Sequence, residues 1–232
     1  MVARSAEPIP DLPRAERERL APIYAERLAA AYGDPRPALH YENAYQLLVA
    51  VILSAQTTDD AVNKATPTLF ARYPDPSELA AADQTDVEGY VHSLGFFRQK
   101  ARNIIATAQR IVAEFDGDVP DTMEGLTSLP GVARKTANIV LGNAFDKVEG
   151  IAVDTHVFRL AHRFGLSTET NTDKVERDLM ALFPREHWHR VNYDLITHGR
   201  RVCDAKRPVC GTCLLADVCP SACKLPGWRE HD

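Results

Sequence analysis

Cysteine is absent from the first 202 residues of this 232-residue chain, and all five cysteines fall between Cys203 and Cys223. A disulfide framework is normally spread over a small secreted chain. Clustering at one end of an otherwise cysteine-free sequence instead favours a metal site.

Long apolar runs are also absent. The longest, Leu47 to Leu53, has seven residues, whereas a membrane-spanning helix needs about 20. Residues 1–13 lack the apolar core of a secretory signal and are predicted to form a flexible leader. We therefore expect a cytoplasmic protein that does not associate with membranes.

The chain also has no excess of basic residues, since its formal net charge is -5. Nucleic-acid-binding proteins usually present a basic face to phosphate. Two local clusters of basic residues can still form such a face. They are Arg98, Lys100, Arg102 and Arg110 in one segment, and Arg200, Arg201, Lys206 and Arg207 in another. The alternative is that both clusters are solvated helix faces.

Alternating strand patterns longer than a few residues do not occur, and helical periodicity runs through most of the chain. The fold class is therefore predicted to be all-α. Predicted helices cover 14–32, 43–55, 59–73, 77–82, 85–93, 98–115, 121–128, 133–144, 154–164, 172–182 and 185–198.

Four of the cysteines have the spacing C-x6-C-x2-C-x5-C: Cys203, Cys210, Cys213 and Cys219. Four thiolates at this spacing suit one tetrahedral zinc ion or an iron–sulfur cluster, and the residue types alone do not separate these two. Cys223 is predicted not to be a ligand. The loop between the first two cysteines carries Lys206 and Arg207, which suit phosphate contact.

The segment from Leu126 to Ala137 predicts a helical hairpin with a tight turn at Pro130-Gly131. Its second helix is expected to start near Ala133 with free amides directed outward, and such an end binds phosphate without sequence preference.

Lys135 lies in the first turn of that helix, where the helix dipole and Arg134 oppose a positive charge. Both effects favour the neutral, nucleophilic amine. Asp154 follows 19 residues later and is predicted to cap the next helix. An ionised carboxylate there can also stabilise a developing cation or accept a proton. Taken singly, an ordinary surface lysine and a plain cap are the simpler explanations.

Together these motifs resemble the endonuclease III family of helix-hairpin-helix DNA glycosylases. The resemblance runs from about Tyr45 to Cys219 and rests on segments 53–59, 129–141, 151–156 and 198–200 and on the cysteine tail. It implies a bacterial-type, nucleoid-associated monomer that acts on double-stranded DNA containing a damaged base.

The resemblance implies a bifunctional DNA glycosylase and abasic-site lyase that removes oxidised pyrimidines in base excision repair. It makes Lys135 the Schiff-base nucleophile, Asp154 the catalytic carboxylate and Cys203, Cys210, Cys213 and Cys219 the ligands of a [4Fe–4S] cluster. Gln56, Leu94 and Phe96 match positions that enter the duplex. The remaining expected DNA contacts are Gly131, Val132, Ala133, Arg134, Lys206 and Arg207.

The implied architecture has two helical domains with DNA bound across the cleft between them. A six-helix barrel with the hairpin covers 37–147, and a discontinuous cluster domain covers 14–36 and 148–232.

Two residues depart from the family pattern. Ala133 replaces a usual glycine, and we predict an ordinary helical φ there. Phe96 replaces a usual leucine, which predicts an altered preference for the base opposite the lesion.

Three other readings of the sequence remain. A monofunctional glycosylase of the same superfamily would lack Lys135. A non-catalytic DNA-binding module with a structural metal site would need no Lys135–Asp154 pair. An electron-transfer iron–sulfur protein would not need so large a helical body.

Overall fold

The computed structural model describes residues 9–33 and 37–231. Residues 1–8 of the predicted leader lie outside the described residues. The part described is helical and contains no β-strand, only one isolated bridge between Val209 and Arg229. The predicted all-α class is confirmed. None of the described helices combines the length and the apolar character that crossing a membrane requires.

The chain forms two compact units. We call Pro37–Glu149 the hairpin unit, and Met1–Arg36 with Gly150–Asp232 the cysteine unit. The sequence placed the corresponding boundaries at 37 and 147.

The hairpin unit has seven helical segments. These are α2 (Ala44–Leu53), α3 (Asp59–Arg72), α4 (Pro76–Ala80), α5 (Gln84–Val91), α6 (Phe97–Glu114), α7 (Met123–Ser128) and α8 (Arg134–Ala144). Helix α2 is buried at every position from Leu47 to Leu53. Apolar residues all round a helix require neighbours on all sides, so α2 forms the centre of this unit.

Short polar side chains start several of these helices. Asn43 accepts a hydrogen bond from the Gln46 amide at the start of α2, and Thr58 accepts one from the Ala61 amide at the start of α3. Thr122 caps α7, which therefore begins at Met123 rather than at the predicted Asp121.

The cysteine unit has its own buried core and its own helices. These are α1 (Arg14–Tyr32), α9 (Thr155–Arg163), α10 (Thr172–Leu182) and α11 (Trp188–Arg201), with a 3₁₀ turn at Arg185–His187. Residues after α11 follow successive turns that carry all five cysteines.

Candidate nucleic-acid interface and cysteine centre

The predicted hairpin consists of α7, a turn at residues 129–133 and α8. Gly131 has φ +77°, a conformation that favours glycine. The Val132 amide donates to the Leu129 carbonyl at 3.2 Å, and the Leu129 and Val132 side chains are buried. Val132 therefore stabilises the turn through both its amide and its side chain, and its expected DNA contact stays a prediction. Gly131 and Ala133 are exposed.

Ala133 is the N-cap of α8, with φ -88° and ψ 168°. Its φ is negative, as predicted, so alanine suffers no left-handed strain. Its ψ is extended, however, because this residue precedes the helix. Helix α8 accordingly begins at Arg134, one residue later than the expected start at Ala133.

Helix α6 supports the turn through a row of polar side chains. The Thr107 hydroxyl donates to the Pro130 carbonyl at 2.7 Å. The Arg110 guanidinium donates to the Ser128 carbonyl at 2.7 Å. Asn103 lies against Gly131, since a Cβ added to that glycine would be 2.9 Å from the Asn103 Nδ2.

Lys135 is the second residue of α8, directly after the hairpin turn, and it is exposed. Arg134, the first residue of the helix, is half-buried. The structure therefore presents an accessible amine beside the turn amides that the sequence assigned to phosphate.

Gln56 and Phe96, expected to enter the duplex, are both exposed and both have positive φ, +53° and +57°. The Phe96 side chain is 69% exposed. Leu94 is different, because it is 1% exposed and belongs to the core of the hairpin unit. Its expected role as a wedge is thus contradicted by its burial. Lys100, assigned to a basic face by the sequence, is also turned inward and buried.

Asp154 is the N-cap of α9 in the cysteine unit. Its Oδ1 accepts hydrogen bonds from the His156 and Val157 amides, both at 2.8 Å. The predicted capping role is confirmed.

The same helix, α9, holds the cysteine loop through two arginines. The Arg163 guanidinium, 2% exposed, donates to the Asp204 carbonyl at 2.7 Å and to the Ala205 carbonyl at 3.1 Å. It also lies 3.2 Å from the Cys203 Sγ. Arg159 donates to the Cys203 carbonyl at 3.1 Å. One short helix therefore carries Asp154 at its start and organises the cysteine loop at its end.

Cys203, Cys210, Cys213 and Cys219 line a single cavity, whereas Cys223 is exposed. Burial raises the pKa of the Cys213 thiol to about 11 and that of the Cys219 thiol to about 12. Within residues 9–33 and 37–231, no three His, Cys, Asp or Glu side chains are close enough to hold one metal ion.

His198 lines this cavity. It is fully buried, and its Nδ1 lies 2.7 Å from the Tyr32 hydroxyl while its Nε2 lies 3.6 Å from the Cys213 Sγ. Burial lowers its pKa to about 4, so the ring is neutral at pH 7.

Lys206 and Arg207 are exposed on the loop between the first two cysteines. The Asp204 carboxylate accepts hydrogen bonds from both of their amides, at 2.8 and 3.0 Å. Those bonds lower the pKa of Asp204. The loop is therefore fixed by its own acidic residue and presents two cations outward.

Sequence reasoning missed Arg163 and assigned Lys100 to the wrong environment. Nothing in the sequence separates a buried arginine on α9 from an exposed one. Lys100 does occupy the buried stripe of α6 beside Ala101 and Ile104, and that position is a weak signal of burial.

The chain matches the HhH-GPD superfamily of base excision DNA repair proteins over residues 49–185. It is 55% identical over 195 residues to the endonuclease III of Synechocystis, a match covering 84% of this chain and 89% of that protein. The chain belongs to the endonuclease III family. It is also 40% identical over 193 residues to the endonuclease III of Escherichia coli, covering 83% of this chain and 91% of that one.

Two solved structures from the endonuclease III family resemble the fold with a TM-score of 0.85 and 37% identity, covering 89% of this chain and 97% of each. One is a non-covalent endonuclease III–DNA complex, and the other is a trapped endonuclease III–DNA covalent intermediate. The resemblance inferred from the motifs is confirmed, as is the prediction of a bifunctional glycosylase and lyase of base excision repair.

Proposed function

We propose that this enzyme excises oxidised pyrimidines from double-stranded DNA, with Lys135 as the nucleophile and Asp154 as the catalytic carboxylate. The observation that carries this proposal is the position of Lys135, an exposed amine one residue inside α8 and next to the hairpin turn. We further propose that it acts as a monomer in the bacterial cytoplasm, as the motifs imply.

A base stacked inside a duplex is out of reach, so the damaged nucleotide must first be turned out of the helix at a cost of a few kcal/mol. The neutral Lys135 amine then attacks C1′, the glycosidic bond breaks, and the base departs with the bonding electron pair and takes up a proton. The Asp154 carboxylate stabilises the positive charge that develops on the sugar.

In the covalent product the nitrogen lone pair then forms an imine with C1′ as the C1′–O4′ bond of the sugar ring breaks, and O4′ takes up the proton that the nitrogen loses. Formation of the imine makes the proton on C2′ acidic. Loss of that proton expels the 3′ phosphate by β-elimination and cuts the strand. Water then hydrolyses the imine and restores the lysine.

The DNA contacts follow from the same surfaces. We assign non-specific phosphate binding to the exposed turn residues Gly131 and Ala133, to the first residue of α8, Arg134, and to the cations Lys206 and Arg207. We assign Gln56 to the gap left by the extruded nucleotide and Phe96 to the opposite strand. Each assignment rests on the motif that carries the residue and, except for the half-buried Arg134, on exposure.

We propose that Cys203, Cys210, Cys213 and Cys219 hold a [4Fe–4S] cluster. Support comes from the single cavity that they share and from the C-x6-C-x2-C-x5-C motif that resembles the family's. When bound, the cluster cross-links the four cysteines and can exchange one electron. The chain's own residues fix the loop that presents Lys206 and Arg207.

Borohydride trapping on a duplex containing thymine glycol tests the nucleophile. The unmodified enzyme is expected to give a covalent protein–DNA adduct, and Lys135→Ala is expected to give none. Lys64→Ala is the matched control, because Lys64 is an exposed lysine on another helix of the hairpin unit. It should be trapped like the unmodified enzyme.

An adduct that persists in Lys135→Ala would reject Lys135 as the nucleophile. Base release by the unmodified enzyme without any adduct would instead identify a monofunctional glycosylase. Absence of both on thymine glycol would reject oxidised pyrimidines as the substrate class.

A further inference from the structure

Two exposed residues of the hairpin unit have a backbone conformation that is costly for their side-chain types. Gln56 and Phe96 have φ near +55°, at +53° and +57°. Left-handed φ costs roughly 1–2 kcal/mol for residues other than glycine, and asparagine and aspartate tolerate it best. Phe96 also exposes a large apolar ring to solvent. Strain of this kind persists where the surrounding structure enforces it and is common at functional positions.

Lys100 touches both strained segments. It lies in the first turn of α6, where its amide donates to the Phe96 carbonyl at 3.0 Å. Its Nζ donates a short hydrogen bond to the Thr57 hydroxyl, on the residue after Gln56. Thr57 is itself fixed to the end of α2, because its amide donates to the Ser54 carbonyl at 3.0 Å.

The environment of this lysine is unusual for a charged group. Lys100 is 4% exposed, and burial lowers its pKa. Within the described residues its ammonium has a hydroxyl partner and no carboxylate partner. An ammonium buried without a counter-charge reduces the stability of a fold, so stability alone does not account for its presence.

We propose that the Lys100–Thr57 hydrogen bond is a positioning device that fixes Gln56 and Phe96 relative to each other, so that both side chains enter the duplex together. This inference rests on the proposed DNA roles of those two residues. Extrusion of a nucleotide requires unstacking on both strands. Side chains already held in the required geometry lose less conformational entropy in that step.

Thr57→Val removes the hydroxyl with little change in shape, Thr57→Ser keeps it, and Lys100→Met removes the ammonium but keeps the chain length. The matched control is Thr68→Val on α3, whose hydroxyl bonds only to the Ala65 carbonyl of its own helix. Single-turnover base release is measured on thymine glycol opposite adenine and opposite an abasic analogue. The second substrate has no base pair to break.

Thr57→Val and Lys100→Met are each expected to slow base release about 10-fold on the paired substrate, the loss typical of a hydrogen bond to a charged group. On the abasic-opposed substrate the change should be less than twofold. The double variant should be no slower than either single one, because both remove the same hydrogen bond. Thr57→Ser and Thr68→Val should match the unmodified enzyme.

A fluorescent 2-aminopurine opposite the lesion gives a second readout, because its emission rises as it unstacks. Its rise should slow in step with base release in Thr57→Val and Lys100→Met. Lys100→Met should also unfold at a higher temperature than the unmodified enzyme, since it removes a buried charge. Slower catalysis in a more stable protein separates positioning from a general loss of structure.

Equal slowing on both substrates, additive effects in the double variant or an unchanged 2-aminopurine signal would overturn the inference. Gln56→Ala and Phe96→Ala test its foundation. If these two variants slow base release on the paired substrate while Thr57→Val does not, the positioning role of the Lys100–Thr57 hydrogen bond is rejected. The proposed contacts of Gln56 and Phe96 with the duplex are then retained. If they have no effect, the proposed contacts themselves are rejected.

Discussion

At the residue scale, the Asp154 carboxylate accepts two amide hydrogen bonds through the same oxygen, Oδ1. The cap therefore leaves Oδ2 for chemistry. Asparagine caps a helix as well as aspartate does but carries no charge, so substitution can separate the two roles.

Asp154→Asn is expected to leave the free energy of unfolding nearly unchanged and to slow base release at least 100-fold, because the cap remains and the charge is lost. Asp154→Ala should slow it similarly and also lose about 1 kcal/mol of stability. Urea unfolding and single-turnover kinetics measure the two effects. Full activity in Asp154→Asn would show that only the cap matters.

Gly131 shows why the hairpin turn requires glycine. Its φ is +77°, and an added Cβ would meet the Asn103 side chain at 2.9 Å. Both effects oppose any side chain, although Asn103 has some freedom to move.

Gly131→Ala is expected to lower the free energy of unfolding by about 1–3 kcal/mol, through left-handed strain and the contact with Asn103. The control is Gly89→Ala, within α5, where an added Cβ has open space. That change should raise stability by roughly 0.5–1 kcal/mol, because alanine is the better helix former. Urea unfolding measures the free energy of unfolding of both variants. Equal changes in the two would contradict the strain assigned to Gly131.

At the element scale, α9 joins two features that lie far apart in the sequence. Asp154 caps its first turn, and Arg163 at its last residue hydrogen-bonds to carbonyls of the cysteine loop. Because Arg163 is buried, its removal leaves those carbonyls without their partner.

Arg163→Leu is expected to lower the free energy of unfolding by about 3 kcal/mol, since the part-buried carbonyls of the cysteine loop lose a buried, charged donor. Amide hydrogen exchange at Lys206 and Arg207 should be faster in Arg163→Leu than in the unmodified enzyme. Arg177→Leu is the matched control, because Arg177 is exposed on α10 and donates only weakly to the Asp173 carbonyl. If exchange in the loop is unchanged in Arg163→Leu, then Arg163 does not organise it.

The helices were predictable because apolar periodicity and capping residues both identify them. Asp154 caps α9 as predicted, and the helices predicted over 43–55 and 59–73 begin within one residue of their caps, Asn43 and Thr58. The hairpin and the cysteine spacing were equally visible. The direction of individual side chains was not predictable from the sequence, because Leu94, Lys100 and Arg163 are buried by tertiary contacts with segments distant in sequence. The altered opposing-base preference attributed to Phe96 stays a prediction.

At the scale of the whole molecule, a net charge of -5 has to coexist with binding to polyanionic DNA. The loop between Cys203 and Cys210 presents the exposed cations Lys206 and Arg207 while Asp204 accepts hydrogen bonds from their amides, and we propose that these cations contact phosphate. Affinity should then depend on a few cations rather than on the overall field.

Lys206→Ala and Arg207→Ala are each expected to weaken DNA binding about equally on damaged and undamaged duplexes. Each should reduce the slope of log affinity against log salt concentration by about 1, the effect of one lost phosphate contact. Lys174→Ala is the control, because Lys174 pairs with Glu169 at 3.4 Å on the same unit. The salt dependence of DNA affinity should not change in Lys174→Ala. A change equal to that of Lys206→Ala would instead indicate a general effect of net charge.

The polar side chains of α6 also set a length. Lys100, Asn103, Thr107 and Arg110 recur at steps of three and four residues, so they share one face of the helix. Ten residues of helix span about 15 Å, comparable to between four and five base-pair steps of about 3.4 Å. Helix α6 thus sets a fixed distance between the Lys100–Thr57 hydrogen bond and the hairpin turn. Inserting one residue between Asn103 and Thr107 would turn its two ends by about 100° relative to each other, so this helix should tolerate substitutions far better than insertions.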